Sequence, residues 1–153
     1  MDPRLSSSPS VYSRFIKQLY RRNLAHYDLF QPATIGVFFV WKKDNTQRLI
    51  FHTCMADATF QEPAVGLLPS GGSFAMLEVE SGVELVFSSG DIRNAFYNVE
   101  LPQSMWHMFT LPPVRASLLG IKSVNNKDVL PDTLITPQVR VLPMGFGWAV
   151  YFM

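Results

Sequence analysis

Two stretches of the sequence carry side chains that suit a phosphate group and a divalent cation. Lys42, Lys43 and Arg48 stand close together in the first stretch, and Asp91 follows an apolar run in the second. Magnesium is held by one or two carboxylates together with phosphate oxygens, and basic side chains offset the remaining phosphate charge. These residues therefore suit a triphosphate and its magnesium ion. Spacing alone allows another interpretation, in which Asp91 caps a helix and Phe96, five residues later, is a core residue.

Predicted strands position both stretches. The β-prone runs TIGVFFVW and RLIFHT flank the polar KKDNTQ, which predicts a hairpin with the lysines at its tip. Asp91 follows a predicted strand, VELVF, at residues 83–87. Further strands are predicted for MWHMFTL at 105–111 and QVRVL at 138–142. Prolines and glycines predict a loop over residues 54–73, and a polar, proline-containing insertion covers residues 122–137.

The N-terminal part of the chain divides into two predicted segments. Prolines and serines without apolar periodicity predict a flexible leader over residues 1–10. Residues 11–30 predict an amphipathic helix, because apolar residues recur there at helical spacing. Its other face carries Arg14, Lys17 and Arg21, which could contact phosphates or form an ordinary solvated face.

Composition restricts the class of protein. The chain has 153 residues, 48% hydrophobic, and a formal net charge of +1. These values exclude a disordered chain and a protein that is basic over its whole surface, so any contact with nucleic acid must be local. A single cysteine indicates a reducing, intracellular compartment. The apolar run at 36–41 is far shorter than the ~20 residues of a membrane-spanning helix, so no membrane partner is expected.

Residues 144–153 are almost entirely apolar, apart from the Trp148 indole and the Tyr151 hydroxyl. The stretch begins like a buried helix but contains no capping signal at its end. Such an uncovered apolar segment favours aggregation in a finished domain. We therefore expect the natural fold to continue beyond Met153.

Three blocks of the sequence, in order, resemble the polymerase domain of reverse transcriptases from retroelements. KKDNTQRLIFHT resembles the fingers hairpin that closes over the incoming nucleotide. SGDIRNAFYNVEL resembles the first palm motif, in which a catalytic Asp precedes an Ala-Phe or Ala-Tyr pair. VLPMGFGWAVYF resembles the Leu-Pro-x-Gly motif that opens the helix behind the nucleotide. The resemblance covers roughly residues 36–153, and the first palm motif is its most specific part.

The resemblance implies a metal site around the first palm motif. It makes Asp91 a catalytic magnesium ligand in a two-metal nucleotidyl transfer, with the backbone carbonyl of Ile92 on the same ion. One ion would activate the primer hydroxyl, and the other would hold the triphosphate.

The resemblance also implies a nucleotide-binding set. Arg48 would stack on the base and contact the triphosphate, while Lys42 or Lys43 would close on the γ-phosphate. Phe96 would exclude a ribose 2′-hydroxyl and so select deoxynucleotides. Gly145 would let backbone approach the nucleotide without an intervening side chain. The implied partners are an RNA or DNA template-primer and a deoxynucleoside triphosphate.

Four departures from the family pattern bear on activity. His52 and Cys54 stand where the fingers block commonly has Asp and Arg, which removes an ion pair that braces the hairpin. Met144 stands in the nucleotide-binding set where many members have Gln. The Asp-Asp pair that completes the metal site does not occur in the sequence. The chain alone is therefore expected to be inactive, for want of metal ligands.

The sequence thus predicts an α+β fold: reverse-transcriptase-like fingers followed by the first half of a ferredoxin-like palm. The predicted organisation is a leader at 1–10, a helix at 11–30, a fingers-like hairpin with loops at 31–80 and a partial palm at 81–153. The predicted function is a fragment of an RNA-directed DNA polymerase, and a missing C-terminal continuation of the same polyprotein is among its predicted partners. The alternatives are a non-catalytic nucleic-acid-binding remnant and a relic open reading frame.

Overall fold

The structure, a computed structural model, describes residues 1–62 and 71–153. The described residues combine short helices with antiparallel β-sheets. The predicted α+β class is correct at this level.

The first residues are helical, so the prediction of a flexible leader over 1–10 is wrong. Helix α1 spans Pro3–Ser6, and α2 spans Pro9–Arg21. Each begins with a proline after a capping side chain: Asp2 accepts from the Arg4 amide, and Ser8 accepts from the Val11 amide. Proline suits the first helical turn because the amide hydrogen that it lacks has no helical acceptor there.

The helix predicted over 11–30 is shorter than expected. The chain leaves α2 through Asn23, which adopts a left-handed conformation with φ 57°. Strand β1 then covers Ala25–Leu29, and alternate side chains, Ala25 and Tyr27, are buried. The helical periodicity therefore gives way to an alternating pattern that a strand satisfies.

The predicted hairpin forms. Strand β2 spans Gly36–Trp41 and β3 spans Gln47–His52, paired antiparallel with Val37 opposite Phe51. Both of these side chains are almost fully buried, whereas every residue from 40 to 48 is exposed. The base of the hairpin thus belongs to the core and its tip projects into solvent.

Short elements follow the hairpin. Helix α3 covers Cys54–Asp57 and α4 covers Gly71–Ala75. Residues 63–70 of the loop predicted over 54–73 lie outside the described part. Two 3₁₀ helices come next, η1 at Ala95–Asn98 and η2 at Gln103–Met108.

The remaining elements build the main sheet. They are β4 at Val114–Arg115, α5 at Ala116–Leu119, β5 at Ser123–Val124, β6 at Lys127–Asp128 and β7 at Leu134–Val139. Strand β7 lies between β1 and β4 in an antiparallel sheet, and β5 pairs with β6. The predicted insertion at 122–137 thus holds a hairpin and most of the central strand.

Burial in the main sheet is concentrated on β7. Residues 135–139 of this strand are all buried, and they pack with side chains from α2, η2 and the base of the hairpin. The largest fully buried side chains in the described residues include Phe51, Phe109, Ile16, Leu111, Ile135 and Leu142.

Three strand predictions in the second half need correction. Residues 83–87 are exposed and form no ladder with any strand of the described part, so no palm sheet carries Asp91 there. A β-prone run forms a stable strand only where a neighbouring strand accepts and donates its backbone hydrogen bonds. Residues 103–108 form η2 instead of a strand, and only Thr110 forms a bridge, with Gln138. The last predicted strand ends at Val139, beyond which Val141 bridges Glu100.

Candidate nucleotide site

All three sequence blocks that carry the resemblance contact one another at strand β3. The Tyr97 hydroxyl, in the second block, donates to the Leu49 carbonyl at 2.5 Å. The Phe51 amide donates to the carbonyl of Met144, in the third block, at 2.9 Å. The rings of Phe51 and Tyr97 also meet edge to face, with centroids 6.4 Å apart. The second and third blocks, far apart in sequence, therefore both contact the short strand β3 of the first block.

Gly145 fits against the hairpin only because it lacks a side chain. Its φ is +121°, and a Cβ at this position would overlap the Phe51 carbonyl oxygen. The Gly145 carbonyl oxygen lies 2.8 Å from the Thr53 hydroxyl. In this structure the glycine thus serves close packing between the third block and β3.

Asp57 joins the third block to α3, and the sequence analysis did not identify it. One carboxylate oxygen accepts from the Gly147 amide at 3.1 Å, and the other lies 2.9 Å from the Thr53 hydroxyl. The Trp148 indole donates to the Gln61 carbonyl at 2.7 Å. The sequence predicted that the hairpin lacks an ion-pair brace, and these bonds provide a brace of another kind.

His52 and Cys54, the two departures in the fingers block, are both exposed. Their side chains point away from the core that holds the base of the hairpin. The bracing contacts instead use Tyr97, Thr53 and Asp57. Tyr97, directly after Phe96, and Asp57, three residues after Cys54, were visible in the sequence as polar side chains able to form these bonds. Their partners are distant in sequence, so spacing alone did not identify the contacts.

The hairpin tip forms an open basic groove of about 440 Å³. Its walls come from β2, β3 and the turn between them: Val40, Trp41, Lys42, Lys43, Asp44 and Arg48. Three cationic side chains therefore face a single carboxylate. The Trp41 ring is 65% exposed, which leaves a flat aromatic surface beside the cations. An open groove with cations and an aromatic ring suits a phosphate with an attached base.

Asp44 is part of the turn that shapes this groove. Its carboxylate accepts from the Thr46 hydroxyl at 2.6 Å and from the Thr46 amide at 3.0 Å. These hydrogen bonds, that of the hydroxyl first, lower the pKa of Asp44. The Asp44 carboxylate thus stabilises the turn through its hydrogen bonds to Thr46, and the turn places Lys42 and Lys43 at the tip.

Arg48 lies in the groove and next to the part of β3 that contacts the second sequence block. Burial raises the pKa of Tyr97 to about 12, and the positive charge of Arg48 opposes this rise. The Tyr97 hydroxyl donates to the carbonyl of Leu49, the residue that follows Arg48 in β3. The candidate nucleotide-binding residue in the first block is thus a neighbour of the second block.

Asp91 and Ile92 lie in an exposed segment without regular secondary structure. The Ile92 carbonyl accepts from the Ala95 amide at 3.2 Å as the chain turns into η1 through Asn94, which is left-handed. Phe96 is partly buried against the core. The structure thus brings Tyr97 to strand β3 and packs Phe96 partly against the core, while Asp91 is exposed to solvent.

Among residues 1–62 and 71–153, no three His, Cys, Asp or Glu side chains come together as a metal-binding group. The magnesium donors that the sequence predicts are the Asp91 carboxylate and the Ile92 carbonyl. Two ions about 4 Å apart need more protein ligands than these two. The described residues do not fit a complete two-metal centre.

No protein-family model matches the chain, and no curated protein is significantly similar to it. None of the helices in the described part is long and apolar enough to cross a membrane.

Proposed function

We propose that this chain is part of the polymerase domain of a retroelement reverse transcriptase, an RNA-directed DNA polymerase, and does not catalyse synthesis alone. The observation that carries the proposal is the meeting of all three motif blocks at β3, through Leu49, Phe51, Tyr97 and Met144. Nothing in the sequence spacing requires these segments to be neighbours. A shared nucleotide site between fingers and palm gives a reason for their proximity.

In the proposed site, the basic groove at the hairpin tip binds the triphosphate. Lys42 and Lys43 offset the charge of the terminal phosphates, and Arg48 reaches between the phosphates and the base. Asp91 and the Ile92 carbonyl bind one magnesium ion that the nucleotide brings with it.

The sugar of the nucleotide lies against the hairpin base in this proposal. Phe96 restricts the space at the ribose 2′ position, and Met144 and Gly145 line the side of the sugar nearer the template strand. Catalysis needs further carboxylates, because one aspartate leaves the ions without most of their ligands. The proposed role of this chain is therefore to bind nucleotide and template-primer.

Equilibrium binding of a deoxynucleoside triphosphate, with and without magnesium, tests this function. We expect magnesium-dependent binding that weakens about tenfold in K42A/K43A, because charge-assisted hydrogen bonds to phosphate are lost. D91N should abolish the magnesium dependence and leave some metal-free affinity. D128N, on the exposed strand β6, is the matched control and should behave as the wild type. Magnesium dependence that survives D91N would remove Asp91 from the site.

A non-catalytic nucleic-acid-binding role is the second candidate, and the packing of α2 favours it. Phe15 of α2 meets Phe39 of β2 edge to face, with centroids 5.9 Å apart. The helix that carries the exposed Arg14 and Arg21 is thus packed against the hairpin that carries the basic tip. Template-primer binding that D91N leaves unchanged, in a chain that binds no nucleotide, would favour this role over the first.

A further inference from the structure

A second cleft, of about 340 Å³, lies where the end of α2 meets η1 and the bridge between Glu100 and Val141. Its polar lining consists of Arg22, Asn23, Tyr97, Asn98, Glu100 and Arg140. Only Tyr97 belongs to the contacts that join the motif blocks at β3. The cleft is within the lower part of the size range of small-molecule sites.

Arg140 is held in one orientation at the wall of this cleft. Its Nη2 donates to Glu100 Oε1 at 2.5 Å, and its guanidinium carbon lies 4.9 Å from the centre of the Trp106 ring. The side chain is 28% exposed, so part of it remains accessible. A guanidinium fixed by a carboxylate and an aromatic face loses little further freedom when it binds an anion.

One nitrogen of this guanidinium lacks an acceptor. Its Nε is buried without a hydrogen-bond partner among the described residues. Buried donors in folded proteins are nearly always paired, and an unpaired one calls for an explanation such as an ion in the native state. Arg140 therefore has a hydrogen-bond donor that its contact with Glu100 leaves unused.

The charge of the cleft selects the class of ligand. Arg22 and Arg140 face a single carboxylate, Glu100, which is already bonded to Arg140. The net charge of the lining is therefore +1, which matches the charge of one phosphodiester. Asn23 and Asn98 add amide groups, and the planar fork of arginine matches the spacing of phosphate oxygens.

We propose that the cleft between Arg22 and Arg140 binds a phosphate group, carried by a nucleotide or by a nucleic-acid strand. The site uses none of the groove residues at the hairpin tip and does not use Asp91. It is therefore independent of the proposed polymerase function. Phosphate bound there lies beside Tyr97, on the side of η1 that faces the end of α2.

Isothermal titration calorimetry with inorganic phosphate, AMP and a short single-stranded oligonucleotide tests the site. R22A should weaken binding of the phosphate ligand about tenfold, because one charged partner is lost. Arg22 is exposed, so this variant should fold normally, which circular dichroism checks. R140K, which keeps the charge but loses the planar fork, should also weaken binding several-fold.

Control variants separate the possible results. R115A removes an arginine whose ion pair with Asp132 is exposed, so it should bind as the wild type. K127A removes an exposed lysine of β6 that lines neither this cleft nor the groove at the hairpin tip, and it should likewise bind as the wild type. Binding of phosphate and AMP that depends on Arg22 supports a free phosphate ester, and binding of the oligonucleotide alone supports a strand. If none of the three ligands binds in a manner that depends on Arg22, the proposal is wrong.

Discussion

At the residue scale, Gly145 is the position at which a single added methyl group should do most damage. Alanine there meets both a positive φ and the Phe51 carbonyl oxygen. We expect G145A to lower the free energy of unfolding by about 2–4 kcal/mol, since strain and steric overlap add. Urea denaturation followed by tryptophan fluorescence measures this change.

Gly90 provides the control for this substitution. No heavy atom lies within 4 Å of the position that its Cβ would take, and its φ is not positive. G90A should therefore change the free energy of unfolding by less than about 0.5 kcal/mol. Equal denaturation midpoints for G145A and the wild type would contradict the close packing of the third block on β3.

Tyr97 makes a pH-dependent contribution to stability. Its pKa in the folded protein is about 12, above the ordinary value of 10.0, because burial disfavours the phenolate. A raised pKa means that the contribution is complete below pH 10 and is lost as the pH rises towards 12. We expect a loss of about 1–2 kcal/mol across this interval, after allowance for solvent screening at a half-buried site.

The variant Y97F isolates this effect from that of the other tyrosines. At pH 8 it should be less stable than the wild type by about 1 kcal/mol, because the hydrogen bond to Leu49 is lost. Between pH 10 and 12 the wild type should lose stability faster than Y97F, as urea denaturation at each pH measures. Parallel pH profiles would show that the Tyr97 hydroxyl is not buried.

The candidate residues differ in how far the sequence could identify them. Lys42, Lys43 and Arg48 follow from local pattern, since a turn between two β-prone runs places them at a tip. The roles of Thr53 and Asp57 depend on Gly145 and Gly147, some ninety residues away. Spacing carries no information about such partners, and only the fold brings them together.

At the scale of elements, α1 provides a direct test of the corrected N-terminus. Leu5 is 6% exposed within a segment that composition alone assigns to a leader. L5A should lower the free energy of unfolding by about 2–3 kcal/mol if α1 is packed, because a buried side chain is removed. L130A is the matched control, at 75% exposure, and should change it by less than about 0.5 kcal/mol. Thermal and urea denaturation of both variants decide between a packed helix and a leader.

The elements predicted correctly are those whose sequence pattern and whose stabilising contacts both lie within a short stretch of the chain. The hairpin β2–β3 closes through a short polar turn, and α2 has its apolar face and its cap within its own sequence. Strand β1 pairs with β7, more than one hundred residues later, so local helical periodicity extended the helix over it. Residues 83–87 show the opposite error, because β-propensity predicted a strand for which the described part supplies no partner.

At the scale of the whole molecule, charge is concentrated locally and not spread over the surface. The net charge is only +1, yet the hairpin tip groups three cations around one carboxylate. A nearly neutral protein attracts polyanions weakly at long range, so any affinity for nucleic acid must come from such groups in direct contact. Both a polymerase and a non-catalytic nucleic-acid-binding protein would need such local contacts.

The salt dependence of template-primer binding tests whether the hairpin tip is this contact. Each phosphate that a lysine neutralises contributes about 0.9 to the slope of log affinity against log salt for duplex DNA. K42A/K43A should therefore lower the magnitude of the slope by about 2, as fluorescence anisotropy over a salt series measures. K122A/K127A removes the same charge around the β5–β6 hairpin and should leave the slope unchanged. If both variants shift the slope equally, net charge controls binding and the hairpin tip has no special part in it.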